Sequence, residues 1–276
     1  MRTIPAISIV FLMLLVAVAM AQNTAPILAP IGAQSVDENA QLAILVTATD
    51  SDGDSLFFSV LNIPLNATFA DSGNGHGLFT FNPSYDQAGE YSVIFIVSDT
   101  LNAADSEIVT ITVNNINRVP MLLPIGPRSV NENEQLQFVV TATDPDGGGL
   151  TLTAEDLPTN ATFVDSGNGH GLFTFNPDYT QAGSYNVRFI VSDGSLADSE
   201  LVTITVNDVN RNPVLATIGP RSVNENEQLQ FVIAATDPDG GGLTLTAEDL
   251  PTNAAFVDSG NGHGLFTFNP DYTQAG

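Results

Sequence analysis

The sequence predicts an all-β chain of tandem Greek-key β-sandwich repeats, about seven strands in each, with the last repeat truncated. Three observations carry this expectation. The chain repeats itself: Pro26, Pro120 and Pro213 stand 94 and then 93 residues apart, as do Asp50, Asp144 and Asp237, and a fixed period of this kind marks a modular array. Within each copy apolar residues recur at every second position, the pattern of strands with one buried face. Turn signals interrupt these runs at short intervals, and about seven short strands in roughly 94 residues is the rhythm of a sandwich.

Read in order, residues 1–21 form an export signal. Arg2 supplies the positive start, Ile7 to Met20 is an apolar run of 14 residues, and Ala19-Met20-Ala21 fits cleavage between small residues. The run is short for a membrane span, so the mature chain is expected to begin at Gln22 or Asn23. The first repeat then occupies 22–116 and the second 117–210. In the second, Leu136, Phe138, Val140 and Ala142 alternate with Gln135, Gln137, Val139 and Thr141. Tyr185, Val187, Phe189 and Val191 repeat the pattern, as do Val202, Ile204 and Val206. Asp144-Pro145-Asp146-Gly147, Gly167-Asn168-Gly169, Asn176-Pro177 and Asp193-Gly194 supply the turns. The third repeat, 211–276, stops before the last strands. Ile125–Gly183 and Ile218–Gly276 are both 59 residues long and differ at only three positions, a sign of recent duplication. A single catalytic site gains little from such copying, whereas an array gains reach.

The charge balance narrows the partners. Six Arg or Lys face 31 Asp or Glu, for a formal net charge of −25. Such a surface repels nucleic acid and anionic membranes and attracts cations. A membrane is therefore expected only through an anchor outside these residues. The chain has no cysteine, so core burial or bound ions must do the stapling that disulfides do in other exported proteins.

The acids recur at fixed places. Glu38, Glu132 and Glu225 lie near the start of each repeat. Asp50 with Asp52, Asp144 with Asp146, and Asp237 with Asp239 follow the second strand. Asp99 and Asp193 close a later Val-Ser-Asp strand, and Asn115 with Asn117, or Asp208 with Asn210, follow the final one. Carboxylates that converge at such loop positions repel one another unless a cation intervenes. Calcium suits the setting because it accepts oxygen ligands in flexible geometry. The alternative is that these are solvated turn and strand-end residues.

Val202 to Pro213, which contains Asn207-Asp208-Val209-Asn210-Arg211-Asn212-Pro213, resembles the closing strand and linker of a cadherin repeat, with its Asp-x-Asn-Asp-Asn-x-Pro motif. Ala142-Thr143-Asp144-Pro145-Asp146 is similar to that family's Asp-x-Asp segment. The phrases Asp-Leu-Pro-Thr-Asn-Ala-Thr-Phe, Phe-Asn-Pro, Gln-Ala-Gly-x-Tyr and Val-Ser-Asp-Gly resemble dystroglycan-type cadherin-like and immunoglobulin-like repeats of bacterial surface proteins. The resemblance covers nearly all of 23–276. It implies calcium held between successive repeats, by Asp99, Asn115, Asn117, Asp144 and Asp146 at the first junction. At the second it implies Glu132, Asp193, Asp208, Asn210, Asp237 and Asp239. Arg118 and Arg211 depart from the family pattern by standing where it has a second linker aspartate. Asn115 replaces the first aspartate, and an Asp-Arg-Glu motif is reduced to Asp86-Gln87 or Thr180-Gln181. Fewer anions and an added cation weaken such sites, toward Kd values of ~10⁻⁴ to 10⁻³ M.

Other motifs fall away. Asp50 to Asp54 resembles the start of an EF-hand loop, but Leu61 stands where a bidentate glutamate is needed. The Asp-Ser-Gly-Asn-Gly-His-Gly loops hold all three histidines, His76, His170 and His263, yet a glycine-rich hairpin gives a triad no rigid pocket. A glycosidase needs a cleft with aromatic platforms, and the chain has no Trp. Asn66-Ala67-Thr68 and Asn160-Ala161-Thr162 match a glycosylation sequon, which the third copy lacks. The expected function is a secreted or cell-surface, non-catalytic, calcium-binding structural or adhesion array, whose partners are calcium and like modules, surface glycans or proteins. The second reading is a carbohydrate-binding or spacer segment of a larger surface enzyme, with Tyr85, Tyr179 and Tyr272 as candidate exposed rings.

Overall fold

The computed structural model describes residues 22–274, so the export signal expected over 1–21 lies outside them. The described residues form twenty strands and no helix. Two compact units are separable, one ending at Asn117 and the other beginning at Arg118; the second unit contains the second and third repeats.

In the first unit the strands are β1 (Ile27–Leu28), β2 (Gln34–Asp37), β3 (Leu42–Thr49), β4 (Phe57–Leu61), β5 (Ala67–Gly73), β6 (His76–Phe81), β7 (Gly89–Ser98) and β8 (Ala104–Asn114). They make two four-stranded sheets, ordered β1-β3-β6-β5 and β2-β8-β7-β4. The second repeat copies this arrangement with β9 (Met121–Leu122), β10 (Arg128–Asn131), β11 (Leu136–Thr143), β12 (Thr151–Glu155), β13 (Ala161–Gly167), β14 (His170–Phe175), β15 (Gly183–Ser192) and β16 (Ala197–Asn207). Its sheets are β9-β11-β14-β13 and β10-β16-β15-β12.

The strand count exceeds the expected seven because the first strand is broken and shared between the sheets. Ile27–Leu28 pairs antiparallel with β3, whereas Gln34–Asp37 runs parallel to β8, with Gln34 opposite Ile111. Pro30 and Gly32 (φ 69°) interrupt the ladder between them. The crossing is held from β8: Asp105 accepts from the Leu28 N–H at 2.9 Å, and Glu107 accepts from the Ile31 and Gly32 N–H groups, both at 2.8 Å. Asp198 and Glu200 repeat these contacts with Leu122, Ile125 and Gly126. Burying backbone N–H groups without partners is costly, so these four acids have a structural task.

Alternation puts the expected residues inside. Val140, Phe173, Phe175, Val187, Phe189, Val191 and Ile204 are fully buried, as are their first-repeat equivalents, among them Val46, Phe79, Phe81, Val93 and Phe95. Each such side chain contributes roughly 1.5–3 kcal/mol of transfer free energy. The outward residues of the same strands remain open, Leu45 and Val139 among them.

The hairpin between β13 and β14 explains the Asp-Ser-Gly-Asn-Gly-His loop. Asn168 (φ 52°) and Gly169 (φ 74°) both adopt the left-handed region that a two-residue type I′ turn needs. A Cβ on Gly169 would stand 2.4 Å from the Ala142 carbonyl oxygen. Asp165 accepts from the Gly167 N–H at 2.9 Å and from the Leu152 N–H at 3.1 Å, tying the hairpin to the opposite sheet. Its carboxylate therefore fastens backbone, while His170 is exposed.

The third repeat presents β17 (Val214–Leu215), β18 (Leu229–Thr236), β19 (Ala254–Gly260) and β20 (His263–Phe268) as one sheet, ordered β17-β18-β20-β19. Counterparts of β15 and β16 are missing from the described residues, and an open groove lined by Leu229, Phe231, Phe266, Phe268 and Tyr272 takes the place of the second layer. Phe266 and Phe268 are part-exposed where Phe173 and Phe175 are sealed. A single sheet with an open apolar face unfolds locally at low cost. Limited proteolysis of this chain is expected to cut within 213–274 before it cuts within 120–207; equal resistance of the two segments would contradict this.

Candidate metal centre

The β7–β8 hairpin sets where the acids of the first unit can meet. Gly89 pairs with Val113 at one end and Ser98 with Ala104 at the other, so at roughly 3.4 Å per residue the ends lie about 30 Å apart. Asp99 follows the Ser98 end, whereas Asn115 and Asn117 follow the Asn114 end. The sequence grouping of Asp99 with Asn115 and Asn117 at one junction is thereby corrected, because alternation shows which face a residue takes and not which end of a hairpin it reaches. The same pairing separates Asp193 from Glu132, Asp208 and Asn210 in the second repeat, where Gly183 opposes Val206 and Ser192 opposes Ala197. Each complete repeat thus has a head, near its start, and a tail, near its exit.

At the tail the early glutamate is a clamp. Glu38 is 4% exposed and Glu132 is 2% exposed. Glu132 accepts from the Ala182 N–H at 2.9 Å and from the Val209 N–H at 3.1 Å, and Glu38 does the same for Ala88 and Ile116. Asp208 and Asn210 beyond it are exposed, as is Asn115. In the third repeat Glu225 keeps its position but is more open.

Among the described residues, the head of the first repeat brings three acids close enough to share an ion. Asp50, Asp54 and Asp99 each offer a carboxylate oxygen within 4.8 Å of the other two. Asp99 is only 3% exposed; one oxygen accepts from Leu101 and Ala103 N–H groups, and the other from the Asn23 amide at 2.8 Å. The Asn23 side chain, with those backbone donors, holds the Asp99 carboxyl below the usual carboxylate range against the opposing effect of burial. Asp50 Oδ1 accepts from the Asp52 N–H at 2.7 Å and from Asp54 at 3.4 Å, while Asp50 Oδ2 is buried with no hydrogen-bond partner. Asp52 turns to Thr24, accepting from its hydroxyl and, at 2.7 Å, from its N–H. Those bonds lower its carboxyl as well, in spite of burial and the charge of Asp99.

Three carboxyl groups this close, one of them with an orphaned oxygen, fit a hard cation that takes oxygen ligands. Asp50, Asp54 and Asp99 would hold it, with Asp52 beside them. Asp54 is not among the ligands read from the sequence, where it stands only in the EF-hand comparison; the alternating acids Asp50, Asp52 and Asp54 are the signal that points to it.

The heads of the other repeats differ. Arg118 and Arg211 occupy the position of Thr24, and Gly148 and Gly241 that of Asp54. Arg118 Nε donates to Asp146 Oδ1 at 2.6 Å and its Nη2 to the Pro145 carbonyl at 2.7 Å, while its backbone N–H meets Asp146 Oδ2. Arg211 makes the same three contacts with Asp239 and Pro238. The arginine N–H groups and charge hold Asp146 and Asp239 below the ordinary range; burial opposes this in both, and the charge of Asp193 opposes it at Asp146. Asp144 and Asp237 each accept from the N–H of the partner aspartate two residues on, at 2.7 and 2.9 Å. The sequence reading places Asp144 and Asp146 at the first junction and Asp193 at the second; the structure instead brings the charge of Asp193 to bear on Asp146, in a head that also holds a fixed cation, Arg118.

Comparison with known proteins agrees with this architecture. The bacterial Ig domain family matches residues 23–112 and 117–205. Chitinase A of Pseudoalteromonas piscicida is 28% identical over 132 residues, 47% of this chain and 16% of that protein. Protocadherin Fat 4 of Mus musculus is 30% identical over 198 residues, 64% of this chain and 4% of that protein. The chain thus spans a small part of these relatives. Among solved structures, the protocadherin gamma B2 extracellular cadherin domains 1–5 superpose with a TM-score of 0.58 at 20% identity, covering 92% of this chain and 55% of that one. The chain belongs to the bacterial Ig domain family, as an array of tandem cadherin-like and Ig-like sandwich repeats.

Proposed function

We propose that this chain is an extracellular, non-catalytic structural or adhesion array that takes up calcium weakly, at the head of its first repeat. The observation that carries the reading is the head of the first repeat, where Asp50, Asp54 and Asp99 each offer an oxygen within 4.8 Å of the other two and Asp50 Oδ2 has no hydrogen-bond partner among the described residues. Like charges held this closely destabilise the fold until a cation joins them. When bound, calcium supplies the missing positive charge; the chain's own residues orient the carboxylates, through Asn23 on Asp99 and Thr24 on Asp52. Duplicated modules, an acidic surface and a predicted export signal support placement outside the cell, as stalk or as contact surface for like modules. No described helix is long and apolar enough to cross a membrane.

An ion bound only by the folded state raises the melting temperature with concentration. Calorimetry of the chain in EGTA and then in millimolar calcium should show an upward shift of the first-repeat transition. Asp54→Asn combined with Asp99→Asn should remove that shift. An unmoved wild-type transition would reject calcium uptake while leaving the array itself in place.

The similarity to a segment of Chitinase A favours one second reading, in which the repeats are spacer or carbohydrate-binding modules of a larger enzyme. Retention on chitin that survives EGTA would support it over the first. Tyr179 is a poor platform for that role, because a guanidinium already lies against its ring.

A further inference from the structure

The joint between the second and third repeats contains a cation of its own. Arg211 lies in the linker between β16 and β17. Its Nε and Nη2 grip Asp239 and the Pro238 carbonyl at 2.6 and 2.7 Å, both in the loop that follows β18 of the third repeat. The same guanidinium stands over the Tyr179 ring of the second repeat, with Cζ 4.7 Å from the ring centre. Tyr179 belongs to the turn between β14 and β15. One side chain therefore touches both repeats, charge against carboxylate on one side and against an aromatic face on the other.

Three further observations indicate that this contact is built. Asp239 is 9% exposed and Arg211 30% exposed in their side chains, so solvent screens the pair less than it screens a surface ion pair. Tyr272, the counterpart of Tyr179 in the third repeat, is 75% exposed, whereas Tyr179 is part-covered. Gly241 stands at the position of Asp54, the third acid of the first-repeat head, so this head lacks that carboxylate while Arg211 is paired with Asp239. Arginine suits the position because a planar guanidinium forks onto oxygen acceptors and stacks on rings at the same time.

We propose that Arg211 acts as the built-in ion of this joint, coupling the second repeat to the third through Tyr179 and Asp239 without a divalent cation. This goes beyond the calcium reading, which rests on the first-repeat head, and each can fail without the other. The chain has no native cysteine, so Val139→Cys with Val232→Cys, on outward positions 58% and 63% exposed, places one spin label in each repeat. Pulsed electron spin resonance on the full chain then reads the spread of distances between repeats.

The expected result is a narrow distribution of equal width in EGTA and in millimolar calcium. Arg211→Gln and Tyr179→Leu should each broaden it at least about twofold in EGTA. Arg211→Lys, which keeps the charge but loses the fork, should fall between. A second label pair confined to the second repeat, Val139→Cys with Leu201→Cys, should keep its wild-type distance in every variant, and hydrogen exchange of the β18 and β20 amides should stay at its wild-type rate, which together separate a loosened joint from an unfolded second or third repeat. A wild-type width that narrows on adding calcium would overturn the proposal. So would wild-type width in both Arg211→Gln and Tyr179→Leu.

Discussion

Glu132→Ala is expected to unfasten the tail of the second repeat. The carboxylate is 2% exposed and accepts from two backbone N–H groups, Ala182 before β15 and Val209 after β16. Removing it leaves both donors without a partner, at roughly 1–3 kcal/mol each. Glu132→Gln keeps one acceptor oxygen and should recover about half of the loss, because an amide nitrogen cannot accept the second bond. Hydrogen exchange at Ala182 and Val209 would report the change directly, and protection equal to wild type in Glu132→Ala would refute the clamp. In sequence Glu132 reads as a calcium ligand; in the structure its carboxylate fastens the turn before β15 to the linker after β16.

A larger loss is expected from Phe189→Ala in the core of the same repeat. Phe189 is fully buried, with Phe138, Phe163 and Phe173 at centroid distances of 5.8, 5.4 and 5.6 Å in edge-on arrangements. Truncation removes the transfer free energy and leaves a cavity that paired strands on both sides cannot collapse into, for about 3–5 kcal/mol. At 1.4 kcal/mol per decade this corresponds to a roughly 10²- to 4 × 10³-fold faster exchange of the β14, β15 and β16 amides. First-repeat amides should be unaffected, and exchange that accelerates equally in both repeats would show that the modules do not have separate cores.

Much of the fold could be read from residues because the sandwich uses one simple code. Val187, Phe189 and Val191 alternate with polar or outward residues, and strand geometry turns that alternation into an inside and an outside. The duplicated Pro, Asp and Asn-Gly positions fixed the repeat length. What alternation lacks is pairing. The broken first strand became visible only with the parallel ladder between Gln34–Asp37 and Ile111–Asn114, and nothing in Ile27 or Gln34 alone says that they join different sheets.

The site was legible in residue type and less so in grouping. Asp50, Asp52 and Asp99 share a head, but Asp99 and Asn115 stand at opposite ends of one hairpin. Asp105, Glu107, Asp198 and Glu200 resemble ordinary solvated strand acids in sequence, yet each holds backbone of the first strand. Arg118 and Arg211 were recognised as departures from the family pattern. Their partners, Asp146 and Asp239, are distant in sequence by 28 residues, beyond the reach of local pattern.

The central claim is that the first-repeat head gathers its acids around a divalent ion, in place of the arginine that serves the later heads. Titration calorimetry of calcium into the full chain tests it most directly, comparing wild type with Asp50→Asn combined with Asp54→Asn and, separately, with Arg211→Gln. The account predicts weak saturable binding that the paired aspartate substitutions abolish and Arg211→Gln leaves in place. Absence of calcium binding in wild type, or binding that persists when Asp50 and Asp54 are both replaced, would contradict it.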